Sequence, residues 1–180
     1  MNEVALLVRQ TTDAYSWVHK LIDPVPEDLW GKVPKVLESS INWQVGHIIL
    51  STYYHSILVV TGHQRDVLEH LPLKKYNQLY AFKTSPANTT EALPTSLLHE
   101  HLDFIEKKSI AVISSLDQKD LSSALVPGKV EHPIAKNKYK AVDWNIKHTM
   151  WHCGQLATLR RVLGNTYDFG LSQPGQNTNN

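Results

Sequence analysis

Residues 141–163 constrain this chain more than any other stretch, because they read as one long helix with two histidines set into its buried side. His148 and His152 are four positions apart, which places them on one helical face, about a turn apart and offset by roughly 40°. The same face continues through Trp144, Gln155 and Leu159. That mostly apolar stripe is expected to point inward and to carry both imidazoles with it. Two imidazoles so placed can reach one metal ion; hydrogen-bonded core histidines are the alternative. The residue after His148 is Thr149. The glutamate that serves a His-Glu-x-x-His zinc peptidase as general base is therefore missing, and that reading is set aside.

Three further helices follow from periodicity. In the first, over residues 2–22, Val4, Leu7, Val8, Thr11, Tyr15, Val18 and Ile22 recur at helical spacing until Pro24 and Pro26 stop it. The second spans 41–60, with Ser39 or Ser40 as N-cap and Gly62 as its stop. One stripe of that helix is Trp43, His47, Ser51, Tyr54 and Leu58; His55 falls on a different face, roughly 80° from His47 on an ideal helix. The third runs from Pro94 to about residue 116 on Leu98, Leu102, Ile105, Ser109, Val112 and Leu116. His99 and His101 diverge on it and read as surface or boundary residues. Gly164 and Asn165 suit the end of the last helix.

No convincing strand alternation accompanies these segments, so the fold class is all-α, a four-helix bundle. The connections between helices 2 and 3 and between helices 3 and 4 are long for a bundle. Residues 72–82 of the first are apolar enough to form a short helix over one end of the bundle. The second contains Pro127-Gly128 and His132-Pro133 as turns, with a possible extended piece at 126–130. Residues 1–170 are expected to form one domain and 171–180 a flexible polar tail.

Composition narrows the function. The 18 basic and 17 acidic residues leave a net charge of +1, which offers nucleic acid or an anionic membrane no electrostatic footprint. The apolar run at 43–60 is broken by Gln44, His47, Ser51, Thr52, His55 and Ser56, against a membrane span. Cys153 is the single cysteine, and no signal peptide is visible, so a reducing, cytoplasmic setting is expected.

Bundle interiors build metal sites from facing helices. The last helix supplies His148 and His152, and the second supplies His47. Three histidines leave a coordination position for water or substrate, the pattern of a catalytic site, and neutral imidazoles favour zinc, nickel, copper or iron. On pattern alone, this reading and that of three hydrogen-bonded core histidines both stand.

The segments Trp43-Gln44-Val45-Gly46-His47-Ile48 and His148-x-x-x-His152-x-Gly154-Gln155 resemble the DinB superfamily, YfiT-like proteins included, over roughly residues 2–164. The resemblance implies a four-helix bundle, often dimeric, with His47, His148 and His152 as ligands of a divalent ion, commonly zinc or nickel. It implies a small-molecule substrate and a homodimer. Characterised relatives are mostly transferases or isomerases that use a low-molecular-weight thiol; others are described as metal-dependent hydrolases. The expected function is thus thiol S-transferase chemistry, with a hydrolase or a non-catalytic metal- or ligand-binding protein as alternatives. Trp43, Tyr54, Trp144 and Gln155 are candidates for supporting the ligands or lining a substrate pocket. Where many relatives have Arg after the last histidine, this chain has Cys153. One helical step turns Cys153 about 100° from the ligand face, so it is expected to be a small buried apolar residue.

Overall fold

The computed structural model describes residues 2–88, 91–128 and 131–170. Its long helices are α1 (Glu3–Ile22), α2 (Ile41–Thr52), α3 (Thr95–Ser114) and α4 (Lys138–Val162). Among the described residues no strand forms; Ala124 and Asn137 make an isolated antiparallel bridge. α1 and α2 each pack against both α3 and α4, so α1 lies diagonally across the bundle from α2. The apolar residues expected of α1 and α3 fill the core, with Leu7, Val18, Ile22, Leu98, Leu102 and Ile105 all at 2% exposure or less.

Side-chain caps set the helix starts. The Asn2 side chain accepts from the Val4 amide at 2.7 Å, and Ser40 Oγ from the Trp43 amide at 3.1 Å. Asn137 Oδ1 accepts from the Lys140 amide at 2.9 Å, which starts α4 at Lys138, three residues before the periodicity suggested. A polar contact locks the core: Tyr15 Oη bonds Ser109 Oγ at 2.8 Å and accepts from Asn145 Nδ2 at 3.1 Å, tying α1, α3 and α4 together.

Two features depart from a plain bundle. The helix expected over 41–60 does not stay α-helical: after Thr52 it continues as a π-helix, Tyr53–Leu58, and closes with a short turn, Val59–Thr61. The connection after it forms two helices, Arg65–His70 and Leu73–Tyr80. The second lies along α2, which α3 and α4 also cover, so that α2 is buried on nearly every side. Gly46 permits this approach, because a Cβ there would sit 2.4 Å from Cγ of the Tyr80 ring. The covering also buries His101 to 3% exposure and bonds its Nδ1 to Tyr76 Oη at 2.8 Å, against the surface or boundary position expected for it. The expected tail at 171–180 and part of the expected extended piece at 126–130 lie outside the described residues.

Candidate metal centre

α2 and α4 bring His47, His148 and His152 together. Each offers a ring nitrogen, and those three atoms all lie within 4.8 Å of one another. Nε2 of His148 and Nε2 of His152 are 3.2 Å apart. Two nitrogens on one tetrahedral zinc, with bonds of about 2.0–2.1 Å, stand ~3.3 Å apart.

The surrounding bonds decide which nitrogens are free. His47 Nδ1–H donates to the Tyr80 carbonyl at 2.7 Å, which leaves a lone pair on Nε2. His152 Nδ1–H donates to Gln44 Oε1. In this orientation of the Gln44 amide, its Nε2 donates to Ser39 Oγ and to Gln155 Oε1, each at 2.7 Å, and its Oε1 is left to His152. His152 Nε2 therefore also holds a lone pair. Such outer hydrogen bonds are how proteins orient metal-ligating histidines. His148 is the loosest of the three: its Nδ1 is buried without a hydrogen-bond partner, so its tautomer is set by whatever meets Nε2. Burial, then the neighbouring histidines, lowers the proton affinity of His148 to a pKa of about 4 and of His152 to about 2; burial lowers His47 as well. All three are neutral at pH 7, the state a metal ligand requires.

The residues expected around the ligands divide. Trp43 stacks on His47 with ring centroids 4.9 Å apart and planes 8° from parallel, and its Nε1 donates to Thr84 Oγ1 at 2.9 Å. Trp144 lies 5.9 Å from the His148 ring. Gln155 is exposed, yet through Gln44 it stands two hydrogen bonds from His152. Tyr54 stacks on His132 at 5.5 Å rather than on a ligand. It lines a cavity of about 740 Å³ together with Leu58, His63, Leu125, Glu131 and His132.

The buried stripe of α4 also differs from the one expected. It runs through Val142, Asn145, Thr149, Cys153 and Leu156 and keeps His152 and Leu159 of the expected face, while Trp144 and His148 are half-buried and Gln155 is exposed. α4 faces both α1 and α2, so its buried arc centres between them and His148, unlike the buried His152, lies at the rim. This leaves His148 partly open to solvent, as access to an ion there would require.

Cys153 faces the other way. Burial, reinforced by the charge of Glu106 on α3, pushes its thiol up to about 12. It stays protonated at neutral pH and is a poor ligand or nucleophile. Two more clusters contain potential ligands: His19 with Asp103 and Glu106, and His70 with Glu100 and His101. The first is occupied by an ion pair, His19 Nε2 to Glu106 Oε2 at 2.9 Å.

His55 and His132 were not legible as part of the site. An i→i+5 ladder turns less per residue than an α-helix, so the π segment swings His55 back toward His47's side. Its ring lies 5.4 Å from that of His148. His55 Nδ1 is 2.8 Å from His132 Nε2. His132 had only the signature of a turn, His132-Pro133, and no sequence signal ties it to α2.

The sequence profile of the DinB superfamily matches residues 10–156, a span that contains all three histidines. The chain belongs to the DinB superfamily. This superfamily binds metal in general, and the histidine cluster here is of the kind that can hold an ion. A crystal structure of a conserved protein from Enterococcus faecalis is similar to this DinB-superfamily chain at a TM-score of 0.70. The similarity covers 91% of this chain and 99% of that one at 15% identity, which shows a shared fold and nothing finer. No curated protein matches the sequence. Among the described residues no helix is long and apolar enough to cross a membrane.

Proposed function

We propose that His47, His148 and His152 hold one divalent transition metal, zinc or nickel, and that the protein is an enzyme that activates a small thiol for transfer to an electrophile. The observation that carries the metal reading is the pair of Nδ1 locks. Tyr80 and Gln44 turn the Nε2 lone pairs of His47 and His152 toward His148, whose own Nε2 is 3.2 Å from that of His152. Lone pairs converging at that distance repel one another unless a proton or a cation lies between them.

Three nitrogen ligands leave a position for an exogenous group. A bound ion there would hold a thiol as thiolate near pH 7. Because Cys153 is buried and protonated, the reacting sulfur comes from the cosubstrate. Thiol transfer is the chemistry proposed, and hydrolysis by a metal-bound water is the second reading. Such chemistry suits a reducing, cytoplasmic compartment and a small-molecule substrate, and the working form is proposed to be a homodimer. The first test is the metal content of the purified protein, followed by a screen of small thiols against electrophiles. Less than 0.1 equivalent of transition metal, with no uptake on adding zinc or nickel, would overturn the proposal.

A further inference from the structure

His132 Nδ1 accepts from the Ile134 amide at 3.1 Å and from the Ala135 amide at 2.8 Å. That nitrogen therefore holds a lone pair, and a neutral His132 carries its proton on Nε2. The proton points at His55 Nδ1, 2.8 Å away, which must accept it. A neutral His55 is left with its own proton on Nε2. Two backbone amides thus dictate the tautomer of a histidine on another element. The ring they orient is buried, at 8% exposure, in a box of rings: Tyr54 at 5.1 Å, His132 at 4.9 Å, Trp144 at 6.5 Å and His148 at 5.4 Å. Among the described residues nothing accepts from His55 Nε2–H. His55 Nε2 is not one of the partnerless side-chain atoms sealed from solvent, as His148 Nδ1 is, so this donor faces space that a ligand or a water can reach.

We infer that His55, oriented by His132, donates its Nε2–H to an anion held beside the His47–His148–His152 site, a thiolate sulfur or an oxyanion, and thereby selects and positions that ligand. The inference rests on the metal reading above. His55 is not itself one of the converging ligands, since its nitrogens do not fall within the 4.8 Å group. It touches the half-buried His148, the ligand on the open side of the site. In a water-poor site, a neutral and rigid donor stabilises an anion without the repulsion that a fourth charged group would bring to the ion. His132 is then a positioning residue: with its proton committed to His55, it stops that ring from flipping to the other tautomer.

Two measurements test this. Nitrogen–proton correlation spectra of the histidine rings in the metal-free protein should show Nε2–H on both His132 and His55. Nδ1–H on His55 would overturn the inference. In cobalt-loaded protein, 2-mercaptoethanol and azide are titrated separately by visible absorption. His55→Leu should weaken at least one of the two by about tenfold or more, the worth of a hydrogen bond to a charged group, with cobalt affinity within about twofold of wild type. His55→Gln, which keeps an N–H, should recover most of the loss, and His132→Phe should weaken the same anion. Loss for the thiol alone identifies a thiolate ligand; loss for azide identifies a small hard anion. Unchanged affinity for both in His55→Leu, with cobalt bound, overturns the inference and leaves the metal site standing. Wild-type protein that binds no cobalt overturns the metal reading and this one with it.

Discussion

At the scale of single residues, the site depends on which ring nitrogen is held and which is left free. His47 and His152 each have one nitrogen pinned, by Tyr80 and Gln44, while His148 has a buried Nδ1 with no partner. Removing His148 takes away one of three proposed protein bonds to the ion and leaves two that chelate weakly. His148→Ala should abolish stoichiometric zinc binding in a calorimetric titration. Gln44→Leu leaves the three proposed ligands in place but frees the His152 ring; zinc affinity should fall about 10–100-fold, as it does when a metal-orienting partner is lost. Cys153→Ser makes the contrasting case. Its thiol is buried and protonated. Zinc affinity should be unchanged, while a buried serine hydroxyl in that slot costs about 1–3 kcal/mol in denaturant unfolding. Weaker zinc binding by the folded Cys153→Ser protein would show that the face assigned to Cys153 is wrong.

At the scale of elements, α2 and its cover act as one unit. The helix Leu73–Tyr80 lies along α2, Gly46 admits the Tyr80 ring, and the Tyr80 carbonyl then holds His47. Tyr80 Oη adds bonds to Asn42 Oδ1 at 2.9 Å and from the Leu93 amide at 2.8 Å, so the cover is pinned at both ends of one side chain. A methyl group at position 46 would sit 2.4–2.6 Å from three ring carbons of Tyr80. Overpacking of this kind costs about 1–3 kcal/mol. Gly46→Ala should lower the unfolding midpoint by a corresponding amount and also weaken zinc binding, because the displaced residue is the one that orients His47. A loss of stability with zinc affinity intact would mean that the cover and the site are independent.

At the scale of the whole molecule, stability should depend on pH through the ion pair between α1 and α3. The hydrogen bond that His19 donates to Glu106 is the largest cause that raises it from the ordinary 6.5 to about 9, against the opposing effect of burial. Glu106 is itself raised, because burial outweighs the pull of His19. A histidine whose folded pKa lies above its unfolded value contributes its full stability below the unfolded value and loses it as pH rises through the folded one. Above about 9 the buried Glu106 carboxylate also loses its counter-charge. Thermal unfolding midpoints should therefore fall as pH rises from about 6.5 past 9, and His19→Gln should flatten that part of the profile. The proposed homodimer belongs to this scale as well, and sedimentation at micromolar concentration should give twice the mass of the chain.

The sequence by itself determined the four long helices and their approximate ends, and only with the family resemblance did it join His47 to the His148–His152 pair. The helices rest on local chemistry: apolar residues at helical spacing, Ser40 as a cap and prolines after α1; the histidine pair rests on two positions one turn apart. Helix periodicity did not determine where the buried arc of α4 is centred, since that depends on the two neighbours it faces, α1 and α2. Nor did it reveal that α2 loosens into a π-helix over Tyr53–Leu58, because no residue pattern distinguishes an i→i+5 ladder from an α-helix ahead of packing. Only the tertiary structure brought His55 back to the ligand side, placed His132 against it from a loop 77 residues away, and tied Gln44 to His152 across 108. A hydrogen bond between distant segments has no period, so its partners become visible only once the helices that carry them are packed.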